Sequence, residues 1–176
     1  SYNAGRIEQT IGGGACQVTT TLYNAVLFAE LEIVERSAHS MTVSYVDLAY
    51  DAAVAEGSKN FRFKNNLDMP ILIEAFSEDR KITFRIWGHE TRDENRTIKF
   101  ENKVISETAP PSTEKVTKDP TKPTSYRKVT QSAKRGYVAE LYKVVYVDGV
   151  EVSREFINKS VYKAEPAHVT IGSKKD

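Results

Sequence analysis

The chain has 176 residues, 28% of them charged, with 25 basic and 24 acidic side chains and a formal net charge of +1. Near-neutrality argues against a dedicated nucleic-acid binder, and a single cysteine excludes an internal disulfide framework. No run approaches the ~20 apolar residues of a membrane span, and no signal peptide is visible.

Ser1-Tyr2-Asn3 has no initiator Met and leads almost at once into a glycine-rich loop. An upstream part, with any export signal or membrane anchor, is therefore expected. Residues 1–92 hold nine basic and twelve acidic side chains, and residues 93–176 hold sixteen and twelve. The second half is mildly basic, which suits an anionic polymer only weakly. The length and this shift in character predict two small domains, 1–92 and 93–176.

Gly12-Gly13-Gly14-Ala15-Cys16 opens a helical pattern over roughly 17–30, with Val18, Leu22, Val26 and Ala29 as its expected buried face. Cys16 then falls in the first turn, among unpaired backbone N–H groups and the positive end of the helix dipole, which favour thiolate over thiol. Backbone groups of Gly13, Gly14, Ala15 and Gln17 are placed to hold an oxyanion. The competing reading is a free cysteine packed as a small hydrophobe.

Leu31 to Arg36 reads as a short strand. His39 to Val46 alternates, putting His39, Met41, Val43 and Tyr45 on one face. His39 heads that face, as a base or as a satisfied core residue. Asp51 follows, to orient an imidazole or to cap a turn. The order Cys, His, Asp is that of papain-like and transglutaminase-like enzymes. It predicts an α+β fold with an N-terminal helix packed on an antiparallel sheet.

From Phe61 to Trp87 the alternation predicts a β-meander. Trp87, the sole tryptophan, is read as packing or as a ligand platform, and His89 as a surface residue. Thr91 to Arg96 is a polar connector. Four of the six prolines fall between Thr108 and Ser125, which predicts an extended segment. Tyr126 to Gln131 is a strand, and Tyr137–Val147 pairs with Val150–Tyr162 across Asp148-Gly149, a hairpin turn signal. These elements predict an elongated all-β module with a modest core.

Residues 12–25, Leu31 to Arg36, His39-Ser40, Asp51-Ala52, Phe61 to Asn66 and Pro70-Ile71 closely resemble the signature blocks of the VanW domain, lacking its N-terminal part. Residues from about 95 to 173, with Gly136, Gly149 and Ile171-Gly172, are similar to the G-five (G5) domain. The resemblance implies an extracellular protein of a Gram-positive-type wall, anchored in the membrane only through a segment upstream. It implies L,D-transpeptidase activity through Cys16, with peptidoglycan stem peptides and N-acetylglucosamine-containing glycan as partners. The roles of His39 as base and Asp51 as its orienter rest on the spacing argument alone.

The chemistry so read is cysteine acyl transfer, a carboxypeptidase if water replaces the acceptor amine, and it requires no cofactor, metal or nucleic acid. The alternative is a non-catalytic wall-binding or scaffold protein. A P-loop is disfavoured because no Gly-Lys-Ser/Thr follows Gly14, and a zinc site from Cys16, His39 and His89 lacks ligand spacing.

Overall fold

A computed structural model describes residues 2–3, 6–7 and 14–174. Strands β1 (Tyr2–Asn3) and β2 (Arg6–Ile7) pair antiparallel. Helix α1 (Ala15–Phe28) follows Gly14, which gives no side-chain cap. Its buried side chains are Thr20, Tyr23, Val26 and Leu27. Of the expected face Val26 is fully buried, Leu22 and Ala29 are partly buried and Val18 is exposed, while Tyr23 and Leu27 also enter the core. The helix ends on Glu30 at φ 54°, where Glu30 N–H and Leu31 N–H donate to Leu27 O and Val26 O. This is the Schellman closure, with Glu30 where glycine is usual.

β3 (Glu32–Arg36) pairs with β4 (Phe61–Lys64), and β5 (Leu72–Glu78) pairs with β6 (Lys81–Trp87). The predicted meander is thus two separate ribbons, because β4 turns back to β3. Residues 39–46, predicted as a strand, form none. Trp87 is half-exposed at the end of β6, with its indole N–H donating to Glu74 at 3.1 Å.

The second half is built on three long antiparallel strands, β7 (Arg96–Thr108), β10 (Gly136–Val147) and β11 (Val150–Tyr162), with β10 central. The hairpin at Asp148-Gly149 stands where predicted, with Gly149 at φ 77°. β7 begins at Arg96, where the predicted polar connector ends, and its residues carry no assigned element in the sequence reading. β8 (Lys115–Asp119) and β9 (Arg127–Gln131) flank β12 (His168–Gly172), parallel and antiparallel respectively.

The described residues are therefore mostly β with one 14-residue helix. This overturns the α+β, papain-like expectation. The first half offers ribbons of two strands rather than one antiparallel sheet for the helix to cover. The helix instead shares a core with the second half: Tyr23 and Leu27 cluster with Ala49, Ala52, Ala139 and Leu141. Burying an apolar side chain of that size is worth roughly 1.5–3 kcal/mol, so this small cluster ties the halves together.

Candidate functional site

The site is assembled around a short extended segment, residues 50–54. Alternate carbonyls of an extended chain point to the same edge, and those of Tyr50, Ala52 and Val54 face α1. They accept hydrogen bonds from Asn24 Nδ2 at 2.9 Å, Thr20 Oγ1 at 3.0 Å and Cys16 Sγ at 3.3 Å. The match is metrical: four helical residues advance about 6 Å and two extended residues about 6.6 Å. Positions 16, 20 and 24 thus form a polar row along one helix face. The opposite edge of the segment meets the chain leaving β3. Ala53 N–H donates to Ser37 O at 2.8 Å, and Arg36 Nε donates to Asp51 O at 2.7 Å.

Asp51 is 1% exposed, and four donors converge on its carboxylate. His39 backbone N–H and Nδ1 meet Oδ2 at 2.6 and 2.7 Å. Arg36 Nη2 and the Tyr162 hydroxyl meet Oδ1 at 2.8 and 2.5 Å. Burial disfavours the charged carboxylate, yet the hydrogen bonds from His39 and the Arg36 charge outweigh it, and the Asp51 carboxyl is held below its ordinary range. An ionised Asp51 only accepts, which places a proton on His39 Nδ1 and turns Nε2 away from the carboxylate. The Tyr45 hydroxyl stands 3.3 Å from that Nε2, with the two rings edge to face.

Cys16 is half-buried in the first turn, and its thiol bonds the Val54 carbonyl. The first intrahelical bond runs from Val18 N–H to Gly14 O, so the N–H groups of Ala15, Cys16 and Gln17 have no intrahelical acceptor. Of the other two oxyanion candidates, Gly14 is the N-cap whose carbonyl accepts that first bond, and Gly13 lies outside the described residues. A cleft lined by Ala15, Glu35, Val54, Lys59 and Asn60 opens beside this turn. Lys59 donates to Ala38 O at 2.5 Å and Ser40 Oγ at 3.2 Å. Burial lowers its ammonium pKa, opposed by attraction to Asp51 and to Cys16.

The structure thus brings His39 and Asp51 together, with Cys16 anchored on the segment that carries Asp51. His89 sits elsewhere, in a groove with Phe28, Ala29 and Glu30 at the far end of α1, so it does not join Cys16 in a zinc set. Sequence reading missed Arg36, Tyr45, Lys59 and Tyr162. Tyr162 is 111 positions from Asp51, and no local pattern signals such a contact.

Two family models match the chain: "VanW like protein" over residues 1–87 and "G5 domain" over residues 101–174. The chain is a VanW-like domain followed by a G5 domain. The protein YoaR of Bacillus subtilis (strain 168) is 48% identical over 71 residues, which is 40% of this chain and 23% of YoaR. The chain therefore spans under a quarter of that relative's length. Among solved structures, the IgA1 protease G5 domain is 28% identical, with a TM-score of 0.28 over 46% of this chain and 94% of that one. HP0197-G5 is 23% identical, with a TM-score of 0.22 over 44% and 97%. The VanW-like and G5 domains indicate an extracellular, cell-wall-associated protein. Among the described residues no helix is long and apolar enough to cross a membrane.

The G5 glycines have visible reasons. A Cβ on Gly172 would lie 1.8 Å from Pro123 O and 2.7 Å from Lys122 O, so only glycine lets these backbones pass.

Proposed function

We propose that the VanW-like domain is a cysteine acyltransferase of the L,D-transpeptidase type, acting on peptidoglycan stem peptides, while the G5 domain holds N-acetylglucosamine-containing glycan. The division of labour falls at about residue 92. The observation that carries this reading is the buried His39–Asp51 pair: an imidazole fixed in one tautomer by a carboxylate that is itself held ionised. Such a pair suits a general base, and its partner thiol would come from the neighbouring helix turn.

In the first step His39 Nε2 takes the Cys16 thiol proton, and the resulting thiolate attacks the carbonyl of an L,D peptide bond. The C–N bond breaks, the terminal D-amino acid leaves with a proton from His39, and a thioester remains. In the second step a side-chain amine of a neighbouring stem attacks the thioester and gives its proton to His39, and the thiolate is released. The N–H groups of Ala15, Cys16 and Gln17 would receive the oxyanion. Lys59 attracts the thiolate across the cleft.

A second reading has its own support. Cys16 bonds the 50–54 segment as Thr20 and Asn24 do, which is the behaviour of a structural peg in a non-catalytic wall-binding protein. Muropeptide composition with full-length protein and its Cys16→Ala variant separates the two. Acyl transfer predicts loss of 3-3 cross-links in the variant, and unchanged cross-links defeat it. Iodoacetamide should also alkylate Cys16 in the folded protein, and a thiol that reacts only after unfolding would favour the structural peg.

A further inference from the structure

One of the four donors on Asp51 comes from the G5 domain. Tyr162 ends β11, is 3% exposed, and stands opposite Tyr137 in register. Its hydroxyl accepts from Ala49 N–H at 2.8 Å and donates to Asp51 Oδ1 at 2.5 Å. A hydroxyl carries one proton, and here the carboxylate takes it. Burial, then the Asp51 charge, push the Tyr162 pKa up to about 12, so the proton stays in place at neutral pH.

Tyr162 is not alone. Residues 158, 160 and 162 alternate along one face of β11. Ser160 Oγ accepts from Arg36 Nη1 at 2.8 Å, while Asn158 Nδ2 donates to Tyr23 Oη at 2.8 Å and to Ala49 O at 3.1 Å. One strand face of the G5 domain therefore holds both Arg36 and Asp51, the two charges behind His39. The β11 register skips one residue between Asn158 and Phe156, and from that irregularity to its end the strand serves the VanW-like domain.

We propose that the G5 domain completes the acyl-transfer site, with Tyr162 as a positioning residue: its hydroxyl fixes the Asp51 carboxylate so that Oδ2 faces both His39 nitrogens. A VanW-like domain separated from this strand would keep Cys16 and His39 but lose the anchor that aims the base. Chemistry on the stem peptide is thereby tied to docking of the glycan-binding module. The inference rests on His39 acting as the base.

The test uses the full chain and its Tyr162→Phe variant, which keeps the ring and removes the hydroxyl. Release of the terminal D-amino acid from a soluble stem tetrapeptide should fall about 10- to 100-fold in kcat, the range for loss of a group that orients a reacting side chain, with KM within twofold. Nitrogen NMR of the histidines, with His39→Gln to assign the signal, should show the His39 ring leaving the single Nδ1–H form for a tautomer mixture. An unchanged His39 spectrum with unchanged kcat overturns the proposal. The NMR arm does not depend on transpeptidation. If Cys16→Ala leaves cross-links intact, the acyltransfer reading falls, while the spectrum still decides whether Tyr162 sets the His39–Asp51 pair. Should the variant not fold, the wild-type proton spectrum decides: the Tyr162 hydroxyl must give a slowly exchanging downfield resonance, and its absence refutes the contact.

Discussion

Replacing Asp51 by Asn exchanges one carboxylate oxygen for an NH2 group and removes the charge on which the site is built. The carboxylate offers two acceptor oxygens, each used by two donors. An Asn side chain keeps one acceptor oxygen and sets an NH2 against either the two His39 nitrogens or Arg36 and Tyr162. Either orientation places donors against donors at a residue 1% exposed, and the Arg36 guanidinium loses its carboxylate. Breaking a buried ion pair from one side costs about 3–5 kcal/mol. For a chain of this size, 1 kcal/mol shifts Tm by about 2–4 °C, so Asp51→Asn should lower Tm by roughly 6–20 °C at pH 7. Thermal unfolding followed by circular dichroism, repeated from pH 7 to pH 2, is the assay. The folded carboxyl titrates below its unfolded value of ~3.9, so the wild-type advantage is complete above that pH and disappears as pH falls through the folded pKa. A loss below about 1 kcal/mol at pH 7, or a difference that persists unchanged in acid, would refute the four-donor account.

Three further outcomes are expected. Glu30 is held at a pKa of about 2, first by the hydrogen bond from Arg96, against burial, and then by Arg92. Glu30→Gln should therefore cost about 1–2 kcal/mol at pH 7 after solvent screening, a difference present above pH 4.5 and gone near pH 2 in urea titrations. Lys59→Met should slow iodoacetamide alkylation of Cys16 about three- to tenfold at neutral pH by removing the cation that attracts the thiolate, and an unchanged rate would remove Lys59 from the site. Gly172→Ala should destabilise by about 3 kcal/mol or more, since a Cβ meets the Pro123 and Lys122 carbonyls rather than a movable side chain, with chemical denaturation as the measure.

Local signals were legible and distant ones were not. The glycine-led helix start put Cys16 in the first turn, and Asp148-Gly149 fixed the hairpin, because each depends on a few neighbouring residues. The helical spacing finds Val26 but not the exposure of Val18, because the neighbouring extended segment takes Cys16, Thr20 and Asn24 through its backbone carbonyls. The stretch 39–46 alternates as a strand does, but its neighbourhood is set by Asp51, which bonds the His39 backbone and side chain and holds the chain as a loop. His39 and Asp51 are reached from their spacing and order after Cys16, not from any local signal of their contact. Arg36, Lys59 and Tyr162 carried no signal, because an ion pair or a hydroxyl bond between distant positions leaves no periodicity.

The Asp51 cluster is a costly way to hold two domains together. Taking a carboxylate and a guanidinium out of water carries a penalty of several kcal/mol per ion, and apolar side chains of like volume often serve stability as well or better. The core beside it, from Tyr23 and Leu27 to Ala139 and Leu141, already joins the halves with hydrocarbon. What hydrocarbon does not supply is a fixed tautomer at His39. Every donor on Asp51 either is His39 or constrains the oxygen opposite to it, so the geometry is set for the ring nitrogen that looks away from Asp51. The proposed acyl transfer gives that nitrogen a use, and the Tyr45 hydroxyl meets it at 3.3 Å.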